Sequence, residues 1–373
     1  QDSSFAGNKT SGAAGSDFYY TPPSGYLALC SDNLSDPSIA DPTAHFNTNL
    51  WTGNGSTGQS INVGFEPGLL WTKERAEATH HGLRNSVTGV TKSMSSSMTL
   101  AEQTETDGVT AFTSTGFNLS GDGYFYVNRT GKTMVGWSWK AGGTASSNTD
   151  GTITSSVSAN TDAGFSIVSY TGTTSNATVG HGLSQAPELV IVKPRSYADN
   201  WRVGSDELTS WVYHMRLNTT DAETSYAAIW NSTAPTSSVF NVGTDGTNGV
   251  SGATYIAYCF HGVDGYSKVG SYTGNGNADG TFIYTGFRPA FVMTKSTSST
   301  GNWTMLDSAR EPTNVASPGR LYADLSNSES DGATYDFVSN GFKCRETGGP
   351  NNSGVTYIYL AFAESPFKTS NAR

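Results

Sequence analysis

One phrase occurs three times along this chain, and it limits the folds open to it. The first copy reads Trp51-Thr-Gly-Asn-Gly55 and then Gly64-Phe-Glu-Pro-Gly-Leu-Leu-Trp-Thr-Lys73. The third reads Tyr272-Thr-Gly-Asn-Gly276 and then Gly286-Phe-Arg-Pro-Ala-Phe-Val-Met-Thr-Lys295. The second is more diverged, with Tyr170-Thr-Gly172 and then Gly182-Leu-Ser-Gln-Ala-Pro-Glu-Leu-Val-Ile-Val-Lys193. From Pro67 to Pro187 is a step of 120 residues and from Pro187 to Pro289 a step of 102, and Lys73, Lys193 and Lys295 repeat both steps. Each copy closes on an aromatic apolar run: Met134–Trp139, Tyr255–Phe260 and Tyr357–Phe362. Solenoid repeats run to roughly 20–50 residues; copies about twice that long can hold cores of their own.

The spaces between the apolar runs are filled with Thr, Ser, Asn and Gly, and the chain carries 43 glycines with only 14 % charged residues. This is the composition of many short strands joined by tight turns. Leu189–Val192 and Tyr255–Phe260 are continuously apolar, as expected of strands buried on both faces. The expected fold is all-β: three tandem β-sandwich repeats, jelly-roll or lectin-like, of about 90–100 residues each. The expected organisation is a head segment at 1–43, repeat 1 at 44–142, a Gly/Ser/Thr linker at 143–162, repeat 2 at 163–264 and repeat 3 at 265–373. On composition the linker is flexible, so repeat 1 should hinge, while Gly262–Gly265 holds repeats 2 and 3 as a near-rigid pair.

Formal net charge is −10, which argues against nucleic acid as a partner, since phosphate binding needs clustered Lys and Arg. No run of 18 apolar residues suggests membrane insertion. The chain begins at Gln1, not Met, which suggests a processed or partial product. Three cysteines are too few and too scattered for a disulfide framework, and Cys259 reads as a small buried hydrophobe.

Few residues point to chemistry. The repeated lysines end a core strand, where an amine is expected to snorkel to solvent. His80-His81 lacks chelating geometry on a strand. Asn241–Asn248 carries oxygen groups of the kind calcium takes, but such turns are routine in all-β chains, and no cofactor is expected. A glycosidase needs two carboxylates at a set spacing, and no distinctive acid motif nominates them, so no catalytic residue is assigned. Trp201, Trp211 and Trp230 stand in polar, variable stretches of repeat 2 and are candidates for stacking on sugar rings; the bland alternative is that they cover the sandwich edge. In repeat 3, Trp303, Asp307 and Arg310 join them as ligand-binding candidates, with a loop-fixing ion pair as the alternative for the last two.

The repeated "YTGNG…GF-P…K" and "GATYIAYCF" phrasing resembles a family of tandem β domains in tail-fibre, appendage and other virion-surface proteins of marine and environmental tailed phages. The resemblance covers residues 44 to 368. The head segment "DFYYTPPSGYLALCSDNL" resembles the last strands of a SPRY-type, concanavalin-like sandwich. Where "DSVRG"-like phrasing is usual for the family, repeat 1 has Arg84-Asn-Ser-Val-Thr88, which puts any Asp/Arg role there in doubt. The resemblance implies an extracellular protein on the virion surface that attaches to a host-surface glycan or receptor and contacts other virion proteins. It also implies a homo-oligomer, with a trimer favoured. The alternatives are a purely structural decoration or fibre subunit, and a capsule or polysaccharide depolymerase. The binding surface is expected on repeats 2 and 3.

Overall fold

A computed structural model describes residues 36–310, 312–314, 318–332 and 334–370. All of the SPRY-like phrasing, residues 17–34 with Cys30, lies outside them. Repeat 1 contains nine strands: β1 (Phe46–Thr52), β2 (Gln59–Asn62), β3 (Leu69–Glu74), β4 (Gly82–Asn85), β5 (Gly89–Met94), β6 (Gln103–Thr104), β7 (Gly108–Thr113), β8 (Gly116–Ser120) and β9 (Thr133–Trp139). They form a large sheet, β1-β9-β3-β4-β5-β6, and a small one, β2-β8-β7, with every pair antiparallel. The third repeat reproduces both orders strand for strand. The second does so with a two-stranded small sheet, Ala177–Gly180 against Val239–Val242. The fold is all-β, a two-sheet antiparallel sandwich used three times.

The register matches as closely as the topology. Leu69 opposes Trp139, Leu189 opposes Phe260, and Phe291 opposes Phe362. Pro67, Pro187 and Pro289 each stand two residues ahead of these positions. The repeated glycines have local causes. A Cβ on Gly53, Gly172 or Gly274 would lie 2.3, 2.5 or 2.4 Å from a backbone oxygen of Arg129, Val250 or Asn352, so only glycine fits the Thr-Gly step. The later glycine of the phrase has φ of +96° at Gly64, +70° at Gly182 and +87° at Gly286, the region that favours glycine. A buried asparagine clasps each loop: Asn128 Oδ1 accepts from Asn54 N, Asn248 Oδ1 from Thr173 N and Asn351 Oδ1 from Asn275 N.

The tract expected to be a flexible linker is structured. Ser146–Asn148 and Ser155–Asn160 are strands added to the edge of repeat 2's large sheet, beside Phe165–Thr171. Its Gly/Ser composition hides two apolar anchors, Ile153 and Val157, both buried in that repeat's core. Repeat 1 is therefore not on a hinge.

Alternate residues of each closing strand enter different cores. In Tyr255–Phe260, Tyr255, Ala257 and Cys259 face repeat 2's own small sheet, while Ile256, Tyr258 and Phe260 join a cluster drawn from all three repeats. Tyr357, Tyr359 and Ala361 against Ile358, Leu360 and Phe362 divide in the same way. Continuous apolarity thus reflects burial on both faces, with the second face covered by the other repeats. Phe46 stacks on Phe362 at a centroid distance of 5.0 Å, and Phe260 meets Phe362 edge-on at 6.0 Å, so the shared core links all three repeats. Such pairs contribute about 0.5–1.5 kcal/mol beyond their buried area. The void in this shared core, between Leu69, Ile191 and Met293, measures about 10 Å³, about one water-sized probe, and its lining is apolar.

Polar contacts close the repeats into a ring. Trp201 Nε1 of repeat 2 donates to Ser95 O of repeat 1 at 2.8 Å, and Trp303 Nε1 of repeat 3 donates to Arg216 O of repeat 2 at 2.9 Å. At the third seam His81 Nε2 of repeat 1 bonds Tyr322 O of repeat 3 at 2.8 Å. Positions 81, 201 and 303 obey the same steps of 120 and 102. A second set of equivalent bonds runs alongside: Glu102 N to Arg195 O, Glu223 N to Thr297 O, and Glu329 N to Arg75 O, at 2.8, 2.9 and 2.8 Å. Arg195 grips Glu102 through two nitrogens at 2.7 and 3.0 Å, and Arg75 meets Glu329 at 2.6 Å. Three seams of one design make a pseudo-threefold ring within a single chain.

Candidate functional site

The six candidate residues are interior. Trp201, Trp211, Trp230 and Trp303 are 0 %, 7 %, 0 % and 2 % exposed, so none presents a face to a sugar in solution. Trp201 and Trp303 serve the seams. Trp211 and Trp230 meet edge-on at 5.6 Å in repeat 2, and Trp211 Nε1 donates to Asp206 at 2.7 Å. Asp307 is fully buried: its Oδ2 accepts from Arg310 Nε at 2.6 Å and from Trp137 Nε1 of repeat 1 at 3.0 Å. Arg310, also buried, lies 5.4 Å over the Trp137 ring and pairs with Glu329 at 3.2 Å. This constellation fastens repeat 3 to repeat 1. In repeat 1, Arg84 spends its charge on buried Glu105, with Nη2 2.9 and 2.8 Å from its two oxygens.

The repeated lysines do not snorkel. Lys73, Lys193 and Lys295 are at most 1 % exposed, and their amines donate mainly to backbone carbonyls. Lys193 Nζ reaches Thr99 O of repeat 1 at 3.2 Å, and Lys295 Nζ reaches Asp221 O of repeat 2 at 2.8 Å, so both stitch seams. Lys73 Nζ stays within its own repeat, 3.2 Å from Glu77 O. Desolvation outweighs the nearby carboxylates and pushes all three amines down to about 8. At position 81, Trp71 Nε1 donates to His81 Nδ1 at 2.9 Å, so the ring proton sits on Nε2 and serves Tyr322 O. Burial holds His81 well below the usual histidine range, keeping that neutral tautomer. Cys259 is fully buried, as its surroundings in the sequence suggested. In the Asn241–Asn248 loop Asn248 Oδ1 accepts from Thr173 N at 2.6 Å, and the amide nitrogens of Asn241 and Asn248 donate to Ala234 O and Ser175 O. Among the described residues no group of three His, Cys, Asp or Glu side chains is placed to hold a metal.

An open polar cavity of about 190 Å³ lies in repeat 3, in the angle between its large sheet and the 349–352 loop. Thr294, Asn302, Thr304, Arg320, Tyr322 and Asn352 line it, with Tyr357 behind. Its charge is balanced, because Arg320 Nη1 lies 3.2 Å from Glu346. The Arg320 guanidinium stands 5.7 Å over the Tyr322 ring. From Thr294 on the wall a chain of hydroxyls runs inward. Tyr272 OH donates to Pro350 O at 2.7 Å, so Tyr335 OH must donate to Tyr272 and Thr294 Oγ1 to Tyr335. Thr294 Oγ1 is left with its acceptor side unused by that chain. Among the described residues no hydrogen bond engages the side chains of Asn302, Thr304 or the Tyr322 hydroxyl.

The other repeats fill this space. In repeat 2 the counterpart of Thr304 is Arg202, whose side chain crosses to Gly246, the counterpart of Gly349 on the cavity wall; a Cβ there would lie 2.5 Å from Arg202 Nε. Tyr197, the counterpart of Ser299, closes the rest by bonding Tyr255 OH at 3.0 Å. In repeat 1 the counterpart is Gly82, and Arg84 and Phe125 crowd it at 2.9 and 3.0 Å from where a Cβ would stand. None of the cavity residues was singled out from the sequence. The available signal was the pair of large-to-small replacements, Tyr197 to Ser299 and Arg202 to Thr304, seen when repeats 2 and 3 are laid at their 102-residue step.

The profile of DUF7483, a domain of unknown function, matches residues 41–366. The chain belongs to the DUF7483 family. The match takes in all three repeats as one unit, the same extent that the ring spans. No curated protein and no solved structure matches the chain.

Proposed function

We propose that this DUF7483 protein is a non-catalytic attachment unit on the surface of a tailed-phage virion, engaging a host-surface glycan. The single observation that carries the reading is the closed ring: three seams fix the relative positions of all surface loops, and an open polar cavity is presented on that rigid frame. A preorganised surface loses little ordering entropy on binding, which suits an adhesin. The phage-appendage resemblance of the repeated phrase supports the location. A second reading, a purely structural decoration or fibre subunit, is favoured by the burial of all four candidate tryptophans.

The test is adsorption of the purified chain to a glycan array and to bacterial cells, with reducing ends assayed in parallel. Binding without release of reducing ends is the expected result. Release would make the protein a depolymerase, and failure to bind any glycan or cell would leave the structural reading.

A further inference from the structure

We infer that the repeat 3 cavity is a binding site for a single uncharged saccharide residue. This deepens the attachment reading and rests on it. Three observations converge. The cavity is open where the equivalent space is filled by Arg202 and Tyr197 in repeat 2 and by Arg84 and Phe125 in repeat 1. At about 190 Å³ it is on the scale of one sugar ring and smaller than a drug-sized pocket. Its lining is chemically matched to a polyol. Thr304, Asn302 and Tyr322 bring hydroxyl and amide groups not engaged within the described protein, and Thr294 Oγ1 contributes an oriented acceptor.

Charge decides against the other small ligands. Among the described residues Arg320 is the one cationic side chain lining the cavity, and it is already paired with Glu346 at 3.2 Å, so a phosphate or carboxylate would compete with a carboxylate for it. The ion pair instead offers donors and acceptors side by side, and Tyr322 adds a phenol hydroxyl and an aromatic ring to the lining. A ligand of this size makes a weak single-site complex, and affinity for a cell surface would come from many copies displayed together.

The test is ligand-observed NMR and calorimetric titration of the whole chain with free neutral hexoses and N-acetylhexosamines, and with uronic acids as charged comparators. Thr304→Arg restores the side chain that fills repeat 2. Asn302→Ala with Tyr322→Phe removes donors while leaving the backbone and packing in place, in case the arginine disturbs folding. The wild type should bind a neutral sugar, and each variant should lose at least tenfold in affinity with an unchanged melting temperature. Equal binding by wild type and both folded variants would overturn the cavity as the site. So would preference for uronic acids, or no binding of any free sugar. Adsorption of the same variants to cells separates the two claims. Full adsorption by variants that have lost sugar binding rejects the cavity's role and keeps the attachment reading. No adsorption by the wild type rejects the attachment reading itself.

Discussion

The repeated lysines show how a residue can be plain in the sequence and its environment hidden. Their spacing was legible, but a lysine ending a strand ordinarily reaches water. Here the water is replaced by backbone carbonyls, two of the three cages being completed by a neighbouring repeat. Their effect on stability has a definite sign. Each folded-state value, about 8, lies below the ordinary 10.5. Between those limits the unfolded chain therefore holds more protons, and these lysines' contribution to stability rises with pH. For one fully buried amine the gain from pH 8 to pH 10 is about 2 kcal/mol. Denaturant titrations of the wild type and Lys295→Met at both pH values should show the difference in unfolding free energy moving in the wild type's favour by that order. A difference that does not change with pH would place the Lys295 amine in a water-like environment.

At the scale of elements, the sequence announced the strands far better than their partners. The apolar closing runs were correctly readable as buried on both faces, yet nothing in a two-residue period says what covers the second face. Composition misled at 143–162, where Ile153 and Val157 anchor strands inside a Ser/Thr/Gly tract. The tryptophans misled for a different reason. Trp201 and Trp303 lie in polar stretches, but they are separated by the 102-residue step and so occupy one repeated position, whose first copy is His81. A repeated position in a ring serves the ring. Trp201→Phe keeps most of the ring's bulk and removes the donor to Ser95 O. It should destabilise the protein by about 1–3 kcal/mol, the cost of an unsatisfied buried carbonyl, measured as a shift in the denaturant midpoint. A neutral result would mean that the seam bond is dispensable.

For the whole molecule, the steps of 120 and 102 residues established that there are three copies but not that they close on one another. Closure depends on side-chain contacts between residues far apart in sequence, from 87 positions for Trp303 with Arg216 O to 170 for Trp137 with Asp307 and 241 for His81 with Tyr322 O. The cavity is defined by what Thr304 and Ser299 fail to fill, so it shows in the sequence only when repeats 2 and 3 are laid at their 102-residue step. Three copies surround one shared core within the chain. That arrangement makes the three sandwiches one cooperative unit. Scanning calorimetry of the whole chain tests it most directly. A closed ring with one shared core should give a single transition with equal calorimetric and van't Hoff enthalpies. Two or three resolved transitions, or a van't Hoff enthalpy near one third of the calorimetric value, would contradict it.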